Sequence, residues 1–310
     1  MSSPSLAPPP FDRESADLIF RTCDDVDFRV HKCILAIVSP LHNDAAEAES
    51  FVPNTDYKDR AGGAKNRTVI PVTEDSDVLD KLLRFVYPVV PPSLDTLDEL
   101  KPVLEAALKY QMDRATDVLR KKLVSRKFLD SEPLRVFAIA CFHGFEEETR
   151  IAAMHACCED LPGPNARELS SITGSAVRAV WELKDKAVGP ASSVASDLAW
   201  LEKSEEVNRK WAFFTCTSCP MDCDDSLGGV YPRKWWSSYM TSVQQQLRKK
   251  PCGKTVTSAS ALMAPMQSLV GCKYCGADGR GLADLKAFSE LLAARVDATV
   301  MQIAATIQFQ

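Results

Sequence analysis

Two pairs of cysteines carry the chemistry that is easiest to recognise in this sequence. Cys216 and Cys219 form one C-x-x-C pair, and Cys272 and Cys275 form a second pair that is followed by Gly276. Four thiolates are the ligand set of a closed, tetrahedral zinc site, and glycine readily adopts the positive φ of a tight knuckle. The sequence therefore predicts a structural Zn²⁺ ion held by these four cysteines.

The spacing between the two pairs is longer than usual. Residues 220–271 separate them, whereas zinc-binding pairs are usually ~15–20 residues apart. This insert would have to fold back as a small lobe of its own, anchored by its tryptophans. Cys223 and Cys252 lie in the insert and are substitute ligands. Reduced structural thiols and redox disulfides are the alternatives to zinc.

The insert also contains a basic stretch. No Asp or Glu occurs in residues 226–277, which hold seven Lys and Arg residues, although the whole chain has a net charge of −5. Trp235, Trp236 and Tyr239 could serve as stacking platforms beside these charges, which gives an alternative function, a zinc-ribbon-like nucleic-acid binder using residues 233–254. The competing interpretation is a buried Trp pair beside a solvated basic face. The acidic remainder of the chain disfavours nucleic acid as the partner.

Neither enzymes nor membrane proteins fit the remaining features. The four histidines stand in no nucleophile-elbow, H-E-x-x-H, P-loop or dinucleotide-binding motif. His155 and Cys158 could touch on a helix, but the pattern offers no third group to orient them. Neither a secretory signal nor a run of ~18 apolar residues is present. We therefore expect a non-enzymatic intracellular protein of the cytoplasm or nucleus, with its 11 cysteines reduced or metal-bound.

The N-terminal half shows strands first and helices afterwards, which is typical of an α+β fold. Residues 16–22 and 26–30 predict a hairpin, and residues 68–72 predict a third strand that Pro71 places at a sheet edge. Helical periodicity follows, with a joint near Gln111 and helix starts at Pro133 and Phe145. Farther on, residues 189–193 predict a linker, residues 198–208 a helix, and residues 282–306 a long amphipathic helix.

The order of these N-terminal motifs resembles the BTB/POZ domain. The resemblance depends on ADLIF at 16–20, FRVHKCIL at 28–35, Ser-Pro at 39–40, LLRFVY at 82–87 and AALKYQ at 106–111. The run at 132–141 and the paired-cysteine tail look like the expanded BTB proteins of basidiomycete fungi. The resemblance implies that Asp17 and His31 lie near the domain core and dimer surface, where His31 would anchor or cap the first helix.

The resemblance gives the domain organisation and the expected function. We predict a disordered leader at 1–14, a BTB/POZ-like domain at 15–125, a helical extension at 126–208 and a mainly helical Cys/Trp module at 209–310. The family implies protein-protein interaction, as a scaffold or as a substrate adaptor that holds a cullin-type ubiquitin ligase with helices near 131–158. A polar segment at 42–66 replaces apolar surface of the family dimer, so we expect a monomer or weak homodimer.

Overall fold

The computed structural model describes residues 4–39, 67–159, 167–201, 209–222, 231–276 and 278–309. The chain forms two compact units, Met1–Phe128 and Leu129–Gln310, and the division falls within helix α5 (Arg126–Ser131). The polar segment at 42–66, on which the oligomeric prediction depends, lies outside the described residues. Each unit is described by itself below.

The first unit contains a four-stranded sheet. Its strands are β1 (Ser5–Leu6), β2 (Leu18–Arg21), β3 (Val26–Val30) and β4 (Thr68–Pro71), in the order β1-β3-β2-β4. Strands β2 and β3 form the predicted antiparallel hairpin, with Asp25 at φ 59° in its turn. Strand β4 pairs in parallel with β2 at the sheet edge, where the missing N–H of Pro71 is tolerated. The prediction for these three strands is confirmed.

Four helices cover this sheet and complete the α+β fold that the sequence predicts. They are α1 (Lys32–Val38), α2 (Ser76–Val86), α3 (Leu97–Lys109) and α4 (Asp113–Leu123). Asp75 caps α2 by accepting the N–H of Val78, and Thr96 and Glu99 form a capping box at α3. Gln111 adopts φ 51° between α3 and α4, at the predicted joint.

The prediction of a disordered leader is wrong for the described part of that segment. Ser5 and Leu6 pair in parallel with Val26 and Asp27, and the side chain of Phe11 is completely buried. The Phe11 ring lies 5.6 Å from that of Phe28 and 5.3 Å from that of Tyr87. A strand of two residues has no readable periodicity, and one aromatic anchor outweighs the Pro-rich composition around it.

The second unit is mainly helical in its described part, with one isolated antiparallel bridge between Met221 and Arg233. Its elements are α6 (Pro133–Phe142), α7 (Glu146–Ala156), a 3-10 helix (Arg167–Ser171), α8 (Gly174–Ser196), α9 (Ala212–Thr215), α10 (Lys234–Leu247), α11 (Gly253–Val256), α12 (Ala259–Val270) and α13 (Arg280–Ala304). Helix α13 corresponds to the predicted long amphipathic helix and packs against α7, α8, α9 and α11. Its buried stripe runs through Leu285, Phe288, Leu292, Val296 and Val300.

Helix α8 corrects the predicted linker at residues 189–193. It runs through this segment with Pro190 inside it, because Ala187, Ala191 and Ala195 form a buried stripe at helical spacing. This stripe allows α8 to pack against both α10 and α13. The predicted boundary at residue 208 therefore does not separate two packing units. Of the helix predicted at 198–208, residues 198–201 form a turn and 202–208 lie outside the described residues.

Candidate functional site

The first cysteine pair follows a short helix that an acidic side chain holds in place. Asp284, on α13 and only 4% exposed, accepts the backbone N–H of Ala212 at 2.7 Å and pairs with Arg209 at 2.8 Å. Cys216 is the C-cap of α9 and donates its backbone N–H to the Ala212 carbonyl. Cys219 lies three residues farther along the chain and is also buried. This arrangement fixes the first pair beside the start of α13.

The second pair lies in the turn between α12 and α13. This turn requires glycine at two positions, Gly276 within the turn and Gly281 at the start of α13. A Cβ on Gly276 would lie 2.7 Å from the Leu269 carbonyl oxygen, and one on Gly281 would lie 2.7 Å from the Cβ of Cys275. Gly276 does not have the positive φ that the sequence suggested. Its lack of a side chain instead allows the neighbouring backbone carbonyl groups to approach closely. The backbone N–H of Cys275 points to the sulfur of Cys272 at 3.4 Å.

The four predicted ligands converge. Cys216 Sγ lies 3.7 Å from Cys272 Sγ, Cys219 Sγ lies 3.7 Å from Cys275 Sγ, and all four sulfurs lie within 4.8 Å of one another. A disulfide would need about 2.05 Å. Tetrahedral Zn²⁺ with Zn–S bonds of about 2.3 Å places its sulfurs about 3.8 Å apart. The spacing of the thiols therefore fits a four-coordinate metal, and in the described part of the chain no other such group occurs.

The four thiols differ in their readiness to ionise. The N–H of Cys275 lowers the pKa of Cys272 to about 7, since it stabilises the thiolate. Burial raises the pKa of Cys219 to about 12 and raises that of Cys275 as well. Four thiolates this close together repel one another, so a divalent ion is what would allow all four to ionise.

The insert between the pairs does not form a separate lobe, contrary to the prediction. Trp236 is 1% exposed and stacks on Phe213, with ring centroids 4.9 Å apart, and both rings contact Phe288 of α13. The tryptophans thus belong to the core of the whole unit. Of the two substitute ligands, Cys223 lies outside the described residues, and Cys252 lies at the start of α11, outside the four-thiol group.

The nucleic-acid alternative loses the stacking platforms on which it depended. Trp235, Trp236 and Tyr239 are 5%, 1% and 0% exposed, so bases have no access to their faces. Arg233 is also buried and donates its backbone N–H to the Phe213 carbonyl. These three aromatic residues belong to the core of the unit.

In the first unit, Asp17 and His31 position helix α1. Asp17 Oδ1 accepts the backbone N–H of Lys32 at 2.8 Å, which satisfies a free donor at the helix start. His31 is the N-cap residue, and its backbone N–H donates to the Tyr87 hydroxyl at 2.8 Å. The His31 ring lies 2.9 Å from Ser15 Oγ through Nε2. Both predicted residues are therefore structural anchors of α1.

The comparison with known families identifies this first unit. Residues 11–127 match the BTB/POZ domain. The chain contains a BTB/POZ domain. The sheet and helices described above agree with that family, whose domains are protein-protein interaction modules. No curated protein matches the chain. None of the described helices is both long and apolar enough to cross a membrane.

Proposed function

We propose that this protein is a non-enzymatic adaptor or scaffold, in which the BTB domain binds one protein and the helical unit binds another. The observation that carries this proposal is the BTB/POZ match over residues 11–127. The helical unit covers the remaining chain and has its own core, so it supplies a second, independent surface. The resemblance to the expanded fungal proteins stays a prediction.

A face of helix α12 supports the binding of a partner by the helical unit. Met263, Met266 and Val270 are 57%, 39% and 81% exposed and lie at helical i, i+3 and i+7 spacing. Exposed clusters of large apolar side chains mark interaction surfaces, and methionines adapt to varied partners. These three residues form what we call the α12 face.

The charges around the α12 face define the chemistry of its partner. Helix α12 has no charged residue, whereas the exposed Arg248 and Lys249 end α10 and the exposed Lys273 follows α12. The end of α10 lies beside the start of α12, because Ser260 Oγ contacts Gln246 Oε1 at 3.4 Å. Basic residues therefore flank the apolar face at both ends. We propose that its partner is a protein segment that combines apolar anchors with Asp and Glu.

Quantitative co-precipitation of the tagged full chain tests the two-surface proposal. Met266→Glu with Val270→Glu changes the α12 face, and Ala264→Glu with Ser268→Glu adds the same charges at exposed positions on another side of α12 as the matched control. Ile37→Glu changes the BTB domain at a side chain that is 84% exposed. We expect the first variant and Ile37→Glu each to lose a different stoichiometric protein, and the control to lose neither. If both variants retained every partner, the proposal would be wrong.

The cullin-adaptor role is a narrower proposal that rests on the family resemblance. The helices expected to contact the ligase, near 131–158, are α6 and α7, and Phe142 at the end of α6 is 56% exposed. Calorimetry with a purified cullin N-terminal domain tests it. We expect micromolar or tighter binding that Phe142→Asp weakens about tenfold, which corresponds to about 1.4 kcal/mol. An absence of binding would leave the general adaptor function and remove the ligase role.

We also propose that Cys216, Cys219, Cys272 and Cys275 hold one structural Zn²⁺ ion. The ion would connect the end of α9 to the turn before α13, and both segments border the aromatic core. Its expected role is to stabilise the helical unit that presents the α12 face. Metal analysis of the protein purified without added metal should give one zinc per chain, and Cys275→Ser should reduce that content.

A further inference from the structure

One buried arginine of the helical unit has no acidic partner among the described residues. The structure describes four buried arginines, which are Arg29, Arg67, Arg135 and Arg233. Arg29 and Arg67 lie 2.7 and 3.1 Å from the carboxylate of Glu14, and Arg135 lies 2.6 Å from that of Glu168. Arg233 is 7% exposed, and its side chain forms no ion pair with any residue that the structure describes. Among these four, Arg233 is the exception.

The hydrogen bonds of the Arg233 guanidinium compensate its burial only in part. Nη2 donates to the carbonyl oxygen of Phe214 at 3.4 Å, and Nε has no acceptor in the described part of the chain. A guanidinium that leaves water needs an opposite charge or a full set of acceptors, since its hydration is otherwise lost without replacement. One neutral carbonyl group does not meet that need, so a source of negative charge is expected nearby.

The backbone of Arg233 closes the loop that carries the first cysteine pair. Its N–H donates to the carbonyl oxygen of Phe213, three residues before Cys216, at 2.9 Å. On the other side of the loop, Met221, two residues after Cys219, forms an antiparallel bridge with Arg233. Because both ends of the loop meet at this residue, Arg233 lies at the base of the loop that presents two of the four candidate zinc ligands.

The four-thiol group carries an excess of negative charge when it holds a zinc ion. Four thiolates with one Zn²⁺ have a net charge of −2. Cys216, Cys219 and Cys275 are 7%, 7% and 2% exposed, so water screens this charge only weakly. A buried site of this kind is stabilised by a cation in its surroundings, and Arg233 is a cation whose own charge needs an anion.

We propose that Arg233 is the counter-charge of the zinc site, so that its guanidinium and the four thiolates stabilise each other inside the helical unit. The inference rests on the proposed zinc site and adds a residue that no cysteine motif contains. Charges in a protein interior attract each other beyond hydrogen-bond distance, because the surroundings screen them less than water does. Arg233 thus acts through the ligands, as a positioning residue of the site, and is not itself a ligand.

An anion supplied from solution is a poorer explanation of Arg233. Its side chain is buried, and Trp235 and Trp236, which follow it on α10, are 5% and 1% exposed. A phosphate group or a partner's carboxylate could reach the guanidinium only if the unit opened. The adjacent Lys234 is exposed to solvent and serves as a matched comparison, because water already compensates its charge.

The proposal predicts two effects of different sign for one substitution. Arg233→Met removes the charge and keeps an unbranched side chain. In the zinc-free, reduced chain the charge has no anion to compensate it, so its removal should leave the stability unchanged or raise it. In the zinc-bound chain the same substitution removes the counter-charge. We therefore expect zinc affinity to fall about 10–100-fold, the range found when groups that support metal ligands are changed.

Zinc competition with a chelating dye, on the reduced full chain, tests the proposal. Arg233→Met should bind zinc about 10–100-fold more weakly than the unchanged chain, whereas Arg233→Lys, which restores the charge, should stay within about threefold of it. Lys234→Met removes the neighbouring exposed charge and should have no effect. Urea unfolding of the zinc-free chain, followed by tryptophan fluorescence, should show Arg233→Met to be no less stable than the unchanged chain.

The outcomes separate this inference from the zinc assignment itself. If Arg233→Met binds zinc within about threefold of the unchanged chain, the zinc site stands and the role of Arg233 is wrong. Equal losses of affinity in Arg233→Met and Arg233→Lys would assign the effect to the shape of the side chain and would also overturn the proposal. If the unchanged chain binds no zinc, the zinc assignment fails and this inference fails with it.

Discussion

The proposed zinc site predicts that the melting temperature of the helical unit depends on the concentration of free zinc. If the ion binds the folded unit alone, each tenfold rise in free zinc above the Kd stabilises that unit by about 1.4 kcal/mol. For a unit of the size of Leu129–Gln310, 1 kcal/mol shifts the melting temperature by about 2–4 °C. The expected slope is therefore about 3–6 °C per decade. Structural zinc sites bind at ~10–16 kcal/mol, so free zinc buffered from about 1 nM to about 1 μM covers the useful range.

Tryptophan fluorescence measures this transition selectively, because all five tryptophans of the chain lie after residue 180, in the helical unit. Cys275→Ser removes one of the four sulfurs and should abolish the slope. Cys33→Ser, at an exposed position in the BTB domain, is the matched control and should keep it. A melting temperature that stays constant over three decades of free zinc would refute the metal assignment and favour reduced structural thiols.

Three further substitutions test the packing of each unit. Tyr87→Phe removes the hydroxyl that accepts the His31 N–H, and leaving this donor unpaired should lower the free energy of unfolding in urea by about 1–3 kcal/mol. A decrease of less than about 0.3 kcal/mol would contradict this. Burial raises the pKa of Glu74, but the hydrogen bonds from Lys109 and Tyr110, together with the charge of Lys109, outweigh it and the net pKa is lowered. The ionised Glu74 side chain therefore stabilises the folded state at pH values above the pKa that it has in the unfolded chain. Glu74→Gln should cost about 1–2 kcal/mol of unfolding free energy at pH 7 and progressively less as the pH falls below about 4.5. A difference that does not change with pH would exclude this pair as the cause. Phe213→Ala should cost about 3–5 kcal/mol by tryptophan-detected unfolding, because the ring is fully buried among aromatic neighbours, and a cost under 1 kcal/mol would show that the aromatic core is misassigned.

Local sequence patterns were sufficient for much of the fold. The alternation around Phe28 identifies the hairpin, Pro71 identifies the edge strand, and the stripe through Leu285 and Val296 identifies the last helix. Each of these signals lies within one element and reflects burial on one face. The C-x-x-C spacing likewise indicates the four cysteines that the structure brings together.

The errors share a physical cause, which is packing between distant segments. Pro190 read locally predicts a break, yet the buried alanines on either side keep α8 continuous against α10 and α13. Similarly, the Pro-rich start of the chain gives no sign that Phe11 inserts into the BTB core. Such contacts are set by tertiary structure and leave no local periodicity.

An adaptor of the proposed kind holds two partners at once, one on each unit. A two-step purification measures this directly: the complex is isolated first through a tag on the chain and then through the partner whose binding depends on Ile37. We expect the second eluate to contain the chain together with the partner that depends on Met266 and Val270. A second eluate that contains the chain but consistently lacks that partner would show that the two interactions exclude each other, and the adaptor function would be wrong.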